Sequence, residues 1–208
     1  MGRGPAGTVT SRPEGGASAG GASEPRPLRL FVAVDVPDDV RDALAAQVAP
    51  LRSEVPGAKW TAPENWHVTL KFLGSVPPPK LDGVLTALSE AALEHTAFRA
   101  RLGGLGAFPS SRKARVLWAG VEDRHGELAG VARSVDRALA AEFPAEERPF
   151  AAHLTLARLK EQARLPDGLL DPQVTSRPFR VGSIRLYRSF LQRPAARYEV
   201  LREFRLSD

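Results

Sequence analysis

The chain of 208 residues contains no cysteine. That excludes disulfides, thiolate nucleophiles and thiolate metal sites, and it agrees with a reducing cytoplasm as the expected location. Methionine occurs once and tyrosine twice. No apolar run approaches the ~18 residues needed to cross a bilayer, and the N-terminus lacks the apolar core of a signal peptide. Neither a membrane partner nor export is expected. The first 27 residues hold almost no large apolar side chain. Such a stretch cannot bury enough surface to offset its ordering entropy, so residues 1–27 read as a disordered tail and 28–208 as the folded domain.

What remains is ordinary for a globular protein: 43% hydrophobic and 25% charged residues, with a formal net charge of +5 supplied mostly by arginine. A positive excess of this size is compatible with a polyanion such as RNA, and equally with a bias toward Arg, Ala, Gly and Pro.

Strand patterns cover Leu28–Val36, Lys59–Thr61, His67–Leu73 (ended by Gly74), Phe98–Leu102, Ala114–Val121, His153–Leu159, Phe179–Leu191 and Tyr198–Leu206. Helices are predicted from Pro37 to Arg52, Lys80 to Glu94 and Glu127 to Phe143, two of them introduced by prolines. The order lacks the strict alternation of a parallel doubly wound sheet. It indicates an α+β fold with largely antiparallel pairing.

Two of these strands carry the same pattern, His-apolar-Thr-Leu: "HVTL" at His67 and "HLTL" at His153. A single such strand is usually structural. With only four histidines in the chain, two copies should arise by chance less than about once in a thousand sequences. Their separation, about half the folded part, suggests an internal duplication with one motif per lobe.

Side chains alternate along a strand, so His67, Thr69 and Lys71 should share one face, as should His153 and Thr155. If the lobes face each other, two imidazoles and two hydroxyls converge. Histidine titrates near neutrality, so one ring can be protonated while the other is neutral. Phosphoester cleavage needs such an acid and base, and hydroxyl donors can hold the non-bridging oxygens. No metal-ligand pattern accompanies the histidines, and no cofactor is expected. His95 and His125 lack the pattern and are expected to face solvent. Trp60, Trp66, Phe72, Trp118 and Tyr187 are candidates for the core or the cleft wall. Arg112, Lys113 and Arg115 form a charged turn that could meet an RNA backbone.

The sequence resembles the two-histidine (2H) phosphoesterase superfamily, and within it the RNA 2′,3′-cyclic phosphodiesterases once described as 2′-5′ RNA ligases. The resemblance runs from about Leu28 to Leu206. It rests on "RLFVAVDVP", "KWTAPENWHVTLKFLG", "GLGAFPSSRKARVLWAGV", "RPFAAHLTLAR" and "IRLYRSFLQRPAARYEVL".

It implies two related antiparallel sheets with outer helices, forming a V-shaped cleft. It implies His67 as proton donor, His153 as proton acceptor, and Thr69 and Thr155 as catalytic hydroxyls. The implied substrate is RNA ending in a 2′,3′-cyclic phosphate (tRNA fragments among the candidates), opened to a 2′-phosphate by a metal-free monomer. Reverse 2′-5′ ligation belongs to the same implication. Arg158 matches an arginine that would bind phosphate, although strict alternation puts it on the wrong face unless a bulge intervenes. Lys71 is a weaker substrate-binding candidate. Ala152 stands where the family usually has proline. Alternatives are another cyclic phosphate or 2′-5′-linked nucleotide in the same cleft, or a module that only binds RNA ends.

Overall fold

The computed structural model describes Met1, residues 26–192 and residues 196–208. Most of the tail assigned to residues 1–27 therefore lies outside the described residues. Strand β1 begins at Leu28, where the apolar pattern begins.

In chain order the elements are β1 (Leu28–Asp35), α1 (Asp38–Val48), α2 (Leu51–Glu54), β2 (Lys59–Trp60), β3 (His67–Val76) and α3 (Leu81–Leu93). Then come β4 (Phe98–Phe108), β5 (Ala114–Asp123), α4 (Glu127–Ala138), β6 (His153–Ala163), β7 (Phe179–Val181), β8 (Ser183–Phe190) and β9 (Arg197–Arg205). The strands run in the order β7-β4-β5-β6-β3-β1-β8-β9, with β2 also paired to β6, and each named pairing is antiparallel.

The order divides at the centre. One half is β9-β8-β1-β3 and the other β7-β4-β5-β6, and each ends inward on its His-containing strand. The halves join where Val68 lies opposite Leu154. This is the α+β arrangement of two related antiparallel half-sheets that the sequence led us to expect.

The helices cover one side of the sheet. α1 buries Val40, Leu44 and Val48, spaced four apart on one helical stripe. α3 buries Val84, Leu88, Ala91 and Ala92, and α4 buries Leu128, Val131, Ala132 and Val135. They pack on Val32, Val34, Val68, Leu70, Leu117, Leu154 and Leu156 of the central strands. Each such buried aliphatic side chain stabilises the fold by ~1.5–3 kcal/mol.

Helix starts are set locally. Asp38 and Asp39 sit in the first turn of α1, against its positive end. At α4 the Asp123 carboxylate accepts hydrogen bonds from the backbone N–H groups of Glu127 (2.8 Å) and Leu128 (3.0 Å).

Several boundaries differ from the sequence expectation. β3 does not stop at Gly74 but passes through it to Val76. Gly74 takes φ +70°, and the register with β1 slips there, so glycine accommodates a bulge instead of ending the strand. β4 continues past Leu102 to Phe108. Its glycines leave room for neighbours: a Cβ at Gly106 would lie 2.0 Å from the indole of Trp118, which covers it. α4 ends at Ala138 rather than Phe143, and β6 extends to Ala163.

His95 is not solvent-facing as expected. It is partly buried at the end of α3, and its Nε2 lies 2.9 Å from the Ser134 hydroxyl on α4. Burial lowers its pKa. His125 is exposed.

Candidate active site

Two bulges decide which side chains reach the cleft. Along β1, Val32 pairs with Lys71 but Ala33 pairs with Thr69, so Leu70 is an extra residue. Along β5, Leu117 pairs with Ala157 but Trp118 pairs with Thr155, so Leu156 is the extra residue of the second copy. In each motif two consecutive residues after the threonine are therefore buried, Leu70-Lys71 and Leu156-Ala157. The next residue, Phe72 or Arg158, returns to the cleft.

This corrects the placement of Lys71. It does not share the face of His67 and Thr69. It is 2% exposed, its ammonium pairs with Asp136 of α4, and it donates to the Pro144 carbonyl at 2.7 Å. The substrate contact suggested for Lys71 is thereby excluded, because the bulge at Leu70 turns the side chain to the helix side. The same device serves Arg158, which alternation alone would have sent away from the cleft. Phe72 takes the place Lys71 was expected to hold, and it is 58% exposed.

A cleft of about 470 Å³ is lined by His67, Thr69, Phe72, Thr155, Arg158 and Tyr198, among others. Each half-sheet thus contributes its threonine, one contributes a histidine, and the arginine lines the same cleft. His153 is not part of this lining. It stands beside it, near enough for its charge to act on His67. Continuing the antiparallel register from Val68–Leu154 puts His67 across from Thr155 and Thr69 across from His153.

Each imidazole is held by the chain two residues before it. His153 Nδ1 lies 2.7 Å from the Ala151 carbonyl, so Nδ1–H donates and Nε2 is left to face a ligand. His67 is hydrogen-bonded to the backbone of Asn65. Aromatic rings complete both settings. His67 stacks on Phe31 (centroids 4.8 Å apart) and meets Tyr198 edge-on at 5.3 Å, with Tyr187 stacked behind Phe31 at 5.1 Å. His153 meets Phe108 edge-on at 4.9 Å. The Trp118 ring, opposite Thr155 in the register, lies 6.2 Å from the His153 ring.

These surroundings depress both histidines. The pKa of His67 falls from 6.5 to about 4, first because burial disfavours the imidazolium; the Arg158 and His153 charges lower it further, while the Asn65 bond opposes the shift. His153 is lowered by burial and by Arg158, against its bond to Ala151. Among the described residues, no group of three or more His, Cys, Asp or Glu is arranged to hold a metal ion.

Phe31, Phe108 and Tyr198 were not singled out in the sequence. Two of them carry a legible signal: Phe31 alternates with the buried valines of β1, and Phe108 follows the glycine run of β4.

The cleft so described sets two bulged His-x-Thr strands and one guanidinium beside two titratable rings. Comparison with known proteins places it further. The sequence profile described as LigT like Phosphoesterase matches residues 34–118 and 120–198, and the chain belongs to that family. It is 41% identical over 135 residues to the RNA 2′,3′-cyclic phosphodiesterase of Archaeoglobus fulgidus, covering 65% of this chain and 74% of that one. To the RNA 2′,3′-cyclic phosphodiesterase of Aeropyrum pernix it is 35% identical over 171 residues, covering 79% and 91%. Among solved structures it is similar to TT0787 of Thermus thermophilus, with a TM-score of 0.74, 34% identity, and coverage of 86% of this chain and 98% of that one.

Proposed function

We propose that the protein opens the 2′,3′-cyclic phosphate at an RNA 3′ end, leaving a 2′-phosphate. The observation that supports this most is the pairing of two bulged His-x-Thr strands through Val68 and Leu154, with Arg158 brought into the same cleft as both threonines. The names of its relatives supply the substrate class.

In this reading Arg158 and the hydroxyls of Thr69 and Thr155 bind the non-bridging oxygens. Water attacks phosphorus in line with the 3′ oxygen. The new bond is water oxygen to phosphorus, and the bond that breaks is phosphorus to O3′. His153 takes the water proton on Nε2, since Nδ1–H is engaged with Ala151. His67, protonated in the complex, gives its proton to O3′. Its low pKa in the free protein suits this role, because the anionic substrate offsets Arg158 and draws a proton onto the ring. No step needs a metal ion. An RNA 5′-hydroxyl in place of water gives a 2′-5′ linkage by the same proton transfers.

The test is incubation with an oligonucleotide ending in 2′,3′-cyclic phosphate, in EDTA, followed by identification of the product isomer. A 2′-phosphate supports the reading. No turnover, a 3′-phosphate, or activity only after adding a metal contradicts it.

A further inference from the structure

Beyond the cleft, β6 continues past Arg158 with one further exposed cation, Lys160, followed by the exposed Glu161. Leu159 packs against the main core, so Arg158 and Lys160 on either side of it project from the opposite face. Lys59 of β2 lies directly across from Arg158 in the register and is also exposed. Where β6 ends, the Leu165 N–H donates to the Ser111 carbonyl at 2.8 Å, tying the turn Ser111–Lys113 to the same end of the sheet. That turn presents Arg112 and Lys113, both exposed.

Arg158, Lys59 and Lys160 make one ridge at the edge of the cleft, with the turn carrying Arg112 and Lys113 near the far end of β6. None of them forms an ion pair among the described residues. Other surface arginines, such as Arg101, Arg164, Arg177 and Arg180, do pair with carboxylates. A paired cation has little charge to offer a polyanion, whereas an unpaired one releases counterions when a phosphate settles on it. Arg52, Arg99 and Arg124 are unpaired too, so what sets the ridge apart is its place beside Arg158.

We propose that this ridge binds the RNA strand 5′ of the cyclic phosphate, with Lys59 and Lys160 each contacting a backbone phosphate as the chain leaves Arg158. The inference rests on the reading of the cleft as a cyclic-phosphate site. It adds which surface holds the strand that precedes that phosphate. The strand passes along side chains spaced ~3.3 Å per residue on β6, with Lys59 ~5 Å across from Arg158. The contacts are to phosphate, so they strengthen binding without reading sequence.

The experiment compares the wild type with Lys59→Glu/Lys160→Glu on a mononucleotide 2′,3′-cyclic phosphate and on a single-stranded oligonucleotide with the same end. At low salt the wild type should favour the oligonucleotide in kcat/KM. The double variant should lose about tenfold or more of that preference, with a salt slope shallower by about 1.4, the loss of two single-strand phosphate contacts. Its mononucleotide kinetics should be unchanged. Lys59→Gln/Lys160→Gln should show a smaller loss in the same direction.

Binding of a fluorescent oligonucleotide, followed by anisotropy, gives a readout independent of turnover. Weaker binding by the double variant supports the ridge even if neither substrate is hydrolysed, an outcome that would defeat the cyclic-phosphate reading alone. Equal binding and an equal oligonucleotide preference in wild type and variant overturn the ridge proposal while leaving the cleft chemistry intact.

Discussion

Val68 lies opposite Leu154, and both are buried at the register where the two half-sheets join. Because neighbours along a strand point to opposite faces, burying these two residues obliges His67, Thr69, His153 and Thr155 to face the other way. The hydrophobic core and the candidate site are thus two sides of one pairing.

The hydroxyls follow directly. Thr69→Ala and Thr155→Ala should each reduce kcat by roughly 10²–10³, the scale for removing one donor to a developing oxyanion. Thermal stability should change little, since both side chains line the cleft. Steady-state kinetics beside a melting curve checks this; wild-type kcat in both variants would make the threonines structural.

The pH dependence has a determined sign. Both free-enzyme histidines lie below 6.5, so the alkaline limb of kcat/KM should also fall below 6.5. The kcat profile, which reports the complex, should be displaced to higher pH by the bound anion. Arg158→Ala removes a charge that depresses both rings, so the kcat/KM profile should move upward in pH as the rate falls. The limbs belong to the coupled pair. An unshifted profile in Arg158→Ala would remove the arginine from the phosphate site.

Lys71 makes a contrasting case. Lys71→Met removes an ammonium held by Asp136 and the Pro144 carbonyl, and should lower stability by about 3 kcal/mol, the low end for a broken buried pair. Well below its melting temperature, KM should stay near wild type. A raised KM with unchanged melting would return Lys71 to the substrate.

Gly106 of β4 lies under the Trp118 ring of β5. Gly106→Ala places a methyl group where the Trp118 ring lies, so the ring must shift on the face it shares with Thr155. The expected result is a lower kcat with the fold retained, read by kinetics and by the tryptophan fluorescence maximum. Unchanged values of both would show that the indole has space to give.

The four motif residues were legible because duplication makes a weak pattern specific, and because the period of two is reliable where one face is buried. Lys71 and Arg158 were misplaced or left open by the same rule, since a bulge is one residue that alternation cannot count. A signal was nonetheless present. Aligning "HVTLKF" with "HLTLAR" sets Lys71 against Ala157 and Phe72 against Arg158, and an alanine in the fifth place points to a buried position in both copies. The aromatic setting of the histidines was less accessible. Phe31, Tyr198 and Phe108 come from three separate strands, and only the strand order places them around the rings. The free state of the ridge cations depends on which carboxylates fold near them, which no local pattern contains.

The most direct measurement is single-turnover cleavage of an oligonucleotide 2′,3′-cyclic phosphate in EDTA, by wild type, His67→Ala, His153→Ala and the double variant, with binding measured in parallel. If the two rings are acid and base, each single variant should retain binding and lose ~10² or more in rate. The double variant should lose less than the product of the two, because the groups act in one step. Wild-type cleavage by either single variant, or loss of binding and folding together, would contradict the paired-histidine account.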